Sequence, residues 1–210
     1  MKLQLAIDLE DVDGAIELIE KTKDSVDVFE YGTPLVINFG LEGLKKIRER
    51  FPDITLLADV KIMDVAGYEV EQAINYGADI VTILAAAEDQ SIKDAVAKAH
   101  EHGKELLVDM IGIQDVEKRA KELDEMGADY IATHTGYDLQ ALGQTPLENF
   151  NKIKATVQQT KTAVAGGIKE DSAPTIISQQ PDLLIVGGAI STDDNPAEKA
   201  KVFKDMIDNA

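Results

Sequence analysis

No cysteine occurs in the 210 residues. That excludes a disulfide framework and thiolate chemistry. Tryptophan is also absent, and only five Tyr and five Phe are present, so the core must be mostly aliphatic. Long apolar runs are missing. The longest, near Ile80 to Ala87, is far too short to span a bilayer. The chain reaches Asp8 almost at once, which leaves no room for the apolar core of a signal peptide. Basic residues are scarce, 21 against 39 acidic, for a formal charge of −18. So acidic a surface lacks the basic footprint of a nucleic-acid binder or of a protein that docks on anionic membranes. A small phosphate ligand is still admitted, because backbone amides and a lysine override the global field locally. The expectation is a soluble, cytoplasmic protein with no nucleic-acid and no membrane partner. Its length suits one domain, 1–210.

What is present is a rhythm. Short β-type runs stand at 3–8, 26–32, 55–61, 79–84, 105–110, 129–134, 162–167 and 183–188. Between them the apolar residues take helical spacing. Leu41, Leu44, Ile47 and Phe51 form one stripe, Val116, Ala120, Leu123 and Met126 a second, and Leu147, Phe150, Ile153 and Val157 a third. "YGADIVTI" (76–83) and "MGADYIATH" (126–134) echo each other fifty residues apart, a span of two βα units. In each, the glycine ends a helix and Ala-Asp leads into a strand. Eight strands alternating with helices predict a single (β/α)8 TIM barrel. A doubly wound open sheet is disfavoured, because no Gly-rich fingerprint follows the first strand.

In such a barrel, chemistry gathers where the strands end. The first run ends in Asp8, the second in Glu30 and the third in Asp59 and Lys61. The fifth carries Asp109, and the sixth ends in His134. Asp59 and Lys61 share one strand face by the period-two rule. Buried charges are costly unless paired or used. Glu30, Asp59 and Asp8 present hard oxygens to a cation such as Mg2+. Each acid alone also reads as a helix cap or a partner for lysine. Lys61 reads as a cation for a developing oxyanion, as half of a structural ion pair, or as a Schiff-base lysine. The adjacent acid opposes the last, because it keeps the amine protonated. His134, before a Gly-containing loop, reads as a general acid or base, or as a hydrogen-bonded core histidine. His100 and His102 fall at a helix C-terminus, where they favour the helix dipole. Gly166-Gly167 and Gly187-Gly188 end the last two runs, the usual phosphate site of this barrel. No arginine stands in either loop, and Lys169 is the nearest cation.

The Asp-x-Lys-x-x-Asp of "LADVKIMD", with "AIDL", "EYGTP", "HTGYDLQ", "VAGGI" and "IVGGAI", resembles the orotidine 5′-monophosphate decarboxylase suprafamily, and within it the 3-hexulose-6-phosphate synthase branch. The resemblance spans essentially the whole chain in order. It implies a Mg2+-dependent aldol reaction joining formaldehyde to D-ribulose 5-phosphate. It implies Glu30 and Asp59 as metal ligands, Lys61 beside an enediolate, and Asp8 at the end of the first strand. It implies that His134 lies at the site, and that Gly166, Gly167, Gly187 and Gly188 hold the phosphate. It also implies a homodimer in which Asp64 reaches the neighbouring subunit's site. Two departures separate the chain from the 3-keto-L-gulonate 6-phosphate decarboxylase branch. Gly188 stands where related decarboxylases place an arginine, and the loop after His134 reads Thr135, Gly136, Tyr137, Asp138. Non-catalytic sugar-phosphate sensing is a third reading, opposed by the intact charged set.

Overall fold

The computed structural model describes residues 1–8 and 11–210. Eight parallel strands close into a barrel in chain order, with the last pairing back on the first. They are β1 (Lys2–Ile7), β2 (Val28–Tyr31), β3 (Leu56–Ile62), β4 (Ile80–Leu84), β5 (Glu105–Asp109), β6 (Tyr130–His134), β7 (Lys161–Ala165) and β8 (Leu183–Val186). The connecting helices are α1 (Val12–Thr22), α2 (Thr33–Arg50), α3 (Ala66–Asn75), α4 (Asp89–Glu101) and α5 (Val116–Met126). Then come α6 (Tyr137–Gln140) and α7 (Leu147–Thr156), α8 (Ala173–Ile177), α9 (Gly188–Ser191) and α10 (Pro196–Asp208). This is a (β/α)8 TIM barrel. Each strand lies where the runs predicted it, trimmed or shifted by a few residues. Gly166, Gly167, Gly187 and Gly188 fall beyond the strand ends rather than inside them.

Strand alternation divides the core in two. Outward-facing residues such as Leu3, Leu5, Val81, Ile83, Ile131 and Val164 pack beneath the helices. There they meet the predicted stripes: Leu44, Ile47, Ala120, Leu123, Phe150 and Ile153 are all buried. Inward-facing Val28, Leu57, Ile80, Leu107, Tyr130, Leu183 and Ile185 fill the barrel interior. The inward residues Ala6, Ala132, Ala163 and Ala165 are small. Ala6, Ala132 and Ala165 line the cavity at the C-terminal mouth, where their size leaves it room.

Four aspartates tie the opposite end. Each stands just before an even-numbered strand and accepts a hydrogen bond from the strand before it. Asp27 takes Leu3 N–H at 2.8 Å and Asp79 takes Leu56 N–H at 3.0 Å. Asp129 takes Leu106 N–H at 2.8 Å and Asp182 takes Thr162 N–H at 2.7 Å. The Gly-Ala-Asp echo is thus explained. Gly127 caps α5 in the left-handed conformation, and its aspartate two residues on anchors the neighbouring strand. His100 does more than favour the helix dipole, because its Nε2 lies 3.0 Å from Asp129 Oδ2.

One irregularity sits beside the mouth. Helix α2 breaks at Gly40, where φ is +62°, a conformation that costs glycine little. The buried Tyr31 hydroxyl lies 2.9 Å from the Gly40 carbonyl oxygen and 3.1 Å from that of Leu35. It donates to carbonyls near the break, and burial pushes its pKa up to about 12.

Candidate active site

A cavity of about 880 Å³ opens at the C-terminal ends of the strands. Asp8, Glu30, Asp59, Lys61, Asp109 and His134 line it, as do all four predicted glycines. The charged residues singled out in the sequence therefore meet in one place, except Asp64.

The centre is β3. Period two was expected to put Asp59 and Lys61 on one face, and they do share it, but not on a flat strand. The β3–β4 register slips: Ala58 pairs Val81, while Ile62 pairs Ile83, four residues on β3 against two on β4. A slip of two keeps the alternation, so Ile62 returns to the outer core while Asp59 and Lys61 stay inside. Lys61 takes up the bulge at φ +49°. A lysine in the left-handed region costs on the order of 1 kcal/mol, so its surroundings must hold it there.

They do so through Asp59. Its Oδ2 pairs with the Lys61 ammonium and accepts from Thr33 Oγ1 at 2.7 Å. Its Oδ1 accepts from Thr82 Oγ1 at 2.9 Å, and Thr82 Oγ1 itself accepts the Lys61 N–H at 3.0 Å. Burial raises the Asp59 carboxyl, but the Lys61 charge and the hydrogen bonds from Lys61, Thr33 and Thr82 outweigh it and hold it below its ordinary value. For Lys61, desolvation opposes the charge, but attraction to Asp59, then Asp109 and Glu30, raises its pKa. The ammonium stays protonated. That favours a cationic role over a Schiff base.

Asp109 joins Lys61 to His134. Its Oδ2 lies 3.7 Å from Lys61 Nζ and 2.8 Å from His134 Nδ1, while Oδ1 accepts the Ile111 N–H at 2.9 Å. A carboxylate on Nδ1 fixes that nitrogen as the donor and leaves Nε2 as the proton acceptor. His134 is thus a carboxylate-oriented imidazole on the cavity wall.

Glu30 lies deeper, with its Oε2 2.6 Å from Gln4 Nε2. Its pKa stands well above the ordinary carboxylate range, first through burial and then through repulsion from Asp59 and Asp8. Asp8 is raised as well, by burial and then by Asp59. Gln4 Oε1 is buried with no hydrogen-bond partner. Facing carboxylates with too little positive charge are what a divalent cation relieves. Glu30 and Asp59 fit the one or two protein carboxylates that Mg2+ takes beside waters and substrate oxygens. The wider three-acid set is not formed. Among the described residues, no group of three or more His, Asp or Glu is spaced to hold a metal ion. Asp8 is left as a neighbouring charge.

At the far side of the mouth stand the glycines. Gly166 and Gly167 have φ of +103° and +69°, and a Cβ on Gly166 would lie 2.2 Å from the Thr135 carbonyl oxygen. Only glycine lets the loop after β7 pass this close to the loop after β6. Gly187 precedes α9, and Gly188 opens it into empty space. Lys169 and Lys199 line the same end, with Lys199 held by Glu170 at 2.8 Å and Asp193 at 3.5 Å. Asp64 stands apart. It is exposed, outside the cavity lining, and flanked by exposed Met63 and Val65.

Sequence reading missed Thr33, Thr82 and Gln4, and gave Asp109 no role. Strand parity could have flagged Thr82, Gln4 and Asp109, whereas Thr33 opens α2 and carries no such signal. Thr82, Asp109 and Gln4 all alternate in step with the inward-facing residues.

The family model described as "Orotidine 5′-phosphate decarboxylase / HUMPS family" matches residues 1–203. The chain is 58% identical over 208 residues to 3-hexulose-6-phosphate synthase 2 of Staphylococcus saprophyticus subsp. saprophyticus, covering 99% of this chain and 98% of that protein. Among solved structures, 3-hexulose-6-phosphate synthase from Salmonella typhimurium superposes with a TM-score of 0.97 at 37% identity, covering 100% of this chain and 99% of that one. KGPDC from Streptococcus mutans superposes with a TM-score of 0.91 at 26% identity, covering 99% of this chain and 97% of that one.

Proposed function

The chain belongs to the orotidine 5′-phosphate decarboxylase / HUMPS family, and on that premise we propose that it joins formaldehyde to D-ribulose 5-phosphate, giving D-arabino-3-hexulose 6-phosphate. It is an enzyme of the carbon–carbon lyase type, as its near relatives are. The observation that carries the proposed reaction is the chain Asp59–Lys61–Asp109–His134 on one wall, facing the glycine loops after β7 and β8.

Each part has a task in that reaction. Amides of the loops at Gly166-Gly167 and Gly187-Gly188 would grip the phosphate remotely and position the sugar. Glu30 and Asp59 would hold Mg2+, which would supply Lewis-acid stabilisation to negative charge on the sugar's oxygens. His134, oriented by Asp109, would take the C1 proton on Nε2. Lys61 would set its ammonium beside the developing enediolate oxygen. The enediolate carbon would then attack formaldehyde, and the proton would return to the new hydroxyl. Asp8 would border the site and discourage a second anion there. Removal of carbon dioxide from 3-keto-L-gulonate 6-phosphate is the competing reading. It is weakened by Gly188 and by the Thr135–Asp138 loop, which offer no arginine.

The proposal includes a homodimer. Met63, Val65 and Tyr68 are 49%, 63% and 61% exposed around Asp64, a concentration of apolar surface that suits burial against a second copy. Asp64 would then enter the partner's site. Among the described residues, no helix is long and apolar enough to cross a membrane.

Carbon-13 formaldehyde mixed with ribulose 5-phosphate and the protein tests the reaction. The proposed reaction gives a labelled hydroxymethyl carbon in a hexulose phosphate. Persistent free formaldehyde with Mg2+ present would overturn it.

A further inference from the structure

Thr82 lies in the middle of β4, in a run that reads as an ordinary buried strand. Its hydroxyl has two partners, and both belong to β3. It accepts the Lys61 N–H at 3.0 Å and donates to Asp59 Oδ1 at 2.9 Å. A hydroxyl has one proton to give, so the carboxylate receives the hydrogen and a lone pair meets the amide. Thr82 is 3% exposed, so neither partner is easily replaced by solvent.

The bulge gives this contact its weight. Ala58 pairs Val81 and Ile62 pairs Ile83, so Thr82 alone stands opposite Asp59, Val60 and Lys61. The Lys61 amide, in its left-handed conformation, goes to the Thr82 side chain. Thr33 also reaches Asp59, at Oδ2 and at the carbonyl oxygen, but makes no hydrogen bond to Lys61. Thr82 is the residue whose hydroxyl joins the Lys61 amide to the Asp59 carboxylate.

We propose that Thr82 is a positioning residue: its hydroxyl holds Lys61 in the bulge and orients the Asp59 carboxylate in the same act. The geometry stands alone, while the expected effect on turnover rests on the reaction proposed above. Valine has the same shape without the hydroxyl. It leaves a buried amide and a buried carboxylate oxygen without their partner, and frees Lys61 to relax to negative φ. Serine keeps the hydroxyl. The phosphate loops lie on the other side of the cavity and are untouched by either change.

The test compares wild type, Thr82→Ser and Thr82→Val for kcat, KM for ribulose 5-phosphate, and crystal structure. Thr82→Ser keeps kcat within about threefold of wild type, whereas Thr82→Val lowers it at least about a hundredfold with KM changed by less than about threefold. In the Thr82→Val crystal, Lys61 leaves the left-handed region and its ammonium leaves Asp59. The proposal is overturned if Thr82→Val keeps its kcat, if Thr82→Ser is as poor as Thr82→Val, or if Lys61 stays in place in the Thr82→Val crystal. Should Thr82→Val not fold, Thr82→Ala carries the same comparison. An inactive wild type would overturn the proposed reaction instead, and the position of Lys61 in the variant crystals would still decide the part of Thr82.

Discussion

His134 and Asp109, on neighbouring strands β6 and β5, meet at 2.8 Å between Nδ1 and Oδ2. The same oxygen of Asp109 lies 3.7 Å from the Lys61 ammonium. One carboxylate therefore orients the imidazole and leans on the cation of the site. Asp109→Asn keeps the size but offers Nδ1 an amide. By analogy with carboxylate-oriented histidines elsewhere, kcat falls about 10²–10⁴-fold, with KM for the sugar phosphate little changed. Steady-state kinetics check this. An Asp109→Asn enzyme with wild-type kcat would remove His134 from the role of base.

Glu30 is placed against its own stability. Its folded pKa is raised by burial, Asp59 and Asp8, so the folded chain binds the proton more tightly than the unfolded chain does. Stability of the metal-free protein therefore falls as pH rises from the ordinary carboxylate range through the raised value. Glu30→Gln removes that cost. At neutral pH it raises the melting temperature of the metal-free protein by a few degrees, since 1 kcal/mol is worth about 2–4 °C at this size. Near pH 4 the gain disappears, because both forms are then protonated. The same variant loses Mg2+-supported turnover. Calorimetry of EDTA-treated protein against pH checks the sign.

Asp79 behaves in the opposite way. Burial raises its carboxyl, but hydrogen bonds from Lys104 and Leu56 N–H and the charge of Arg48 hold it below its ordinary value. Its stabilising effect is present above the unfolded pKa and is lost as pH falls through the lowered value. Asp79→Asn costs about 1–3 kcal/mol at neutral pH. The difference from wild type shrinks in acid. Urea unfolding at pH 7 and near pH 3 measures both.

Gly166→Ala puts a methyl group 2.2 Å from the Thr135 carbonyl oxygen at a φ of +103°. Strain and overpacking together destabilise by about 2–4 kcal/mol. The loop after β7 must also shift, so KM for ribulose 5-phosphate rises more than kcat falls. An unchanged KM would mean that this loop does not hold the phosphate.

The fold was legible because eight short β-type runs alternate with helical stripes, and every stripe found its place under the barrel. Asp59 and Lys61 were legible because two charges at an i, i+2 spacing on a strand have to face the same way. Their bulge was not, because a two-residue slip leaves the alternation intact. Thr82 and Gln4 escaped notice, and Asp109 was noticed but given no role, because each acts on a residue at least twenty positions away, across strands that only the closed barrel brings together. Asp64 was singled out by its motif, yet a single chain leaves it exposed. Its task, if the dimer forms, belongs to a second copy.

That shared site has its own test. Lys61→Ala and Asp64→Ala chains, each inactive alone, are mixed, unfolded and refolded together. Half of the dimers are then mixed and carry one intact site, so activity recovers to about a quarter of wild type. No recovery from verified mixed dimers would confine Asp64 to its own chain.

The most direct measurement is the rate of formaldehyde loss in the presence of ribulose 5-phosphate by purified protein freed of metal with EDTA and then given Mg2+. The account predicts no loss before Mg2+ is added, rapid loss after it, and none when ribulose 5-phosphate is omitted. Full activity in excess EDTA would contradict Glu30 and Asp59 as holders of a required cation. No formaldehyde loss at any Mg2+ concentration would contradict the proposed reaction itself.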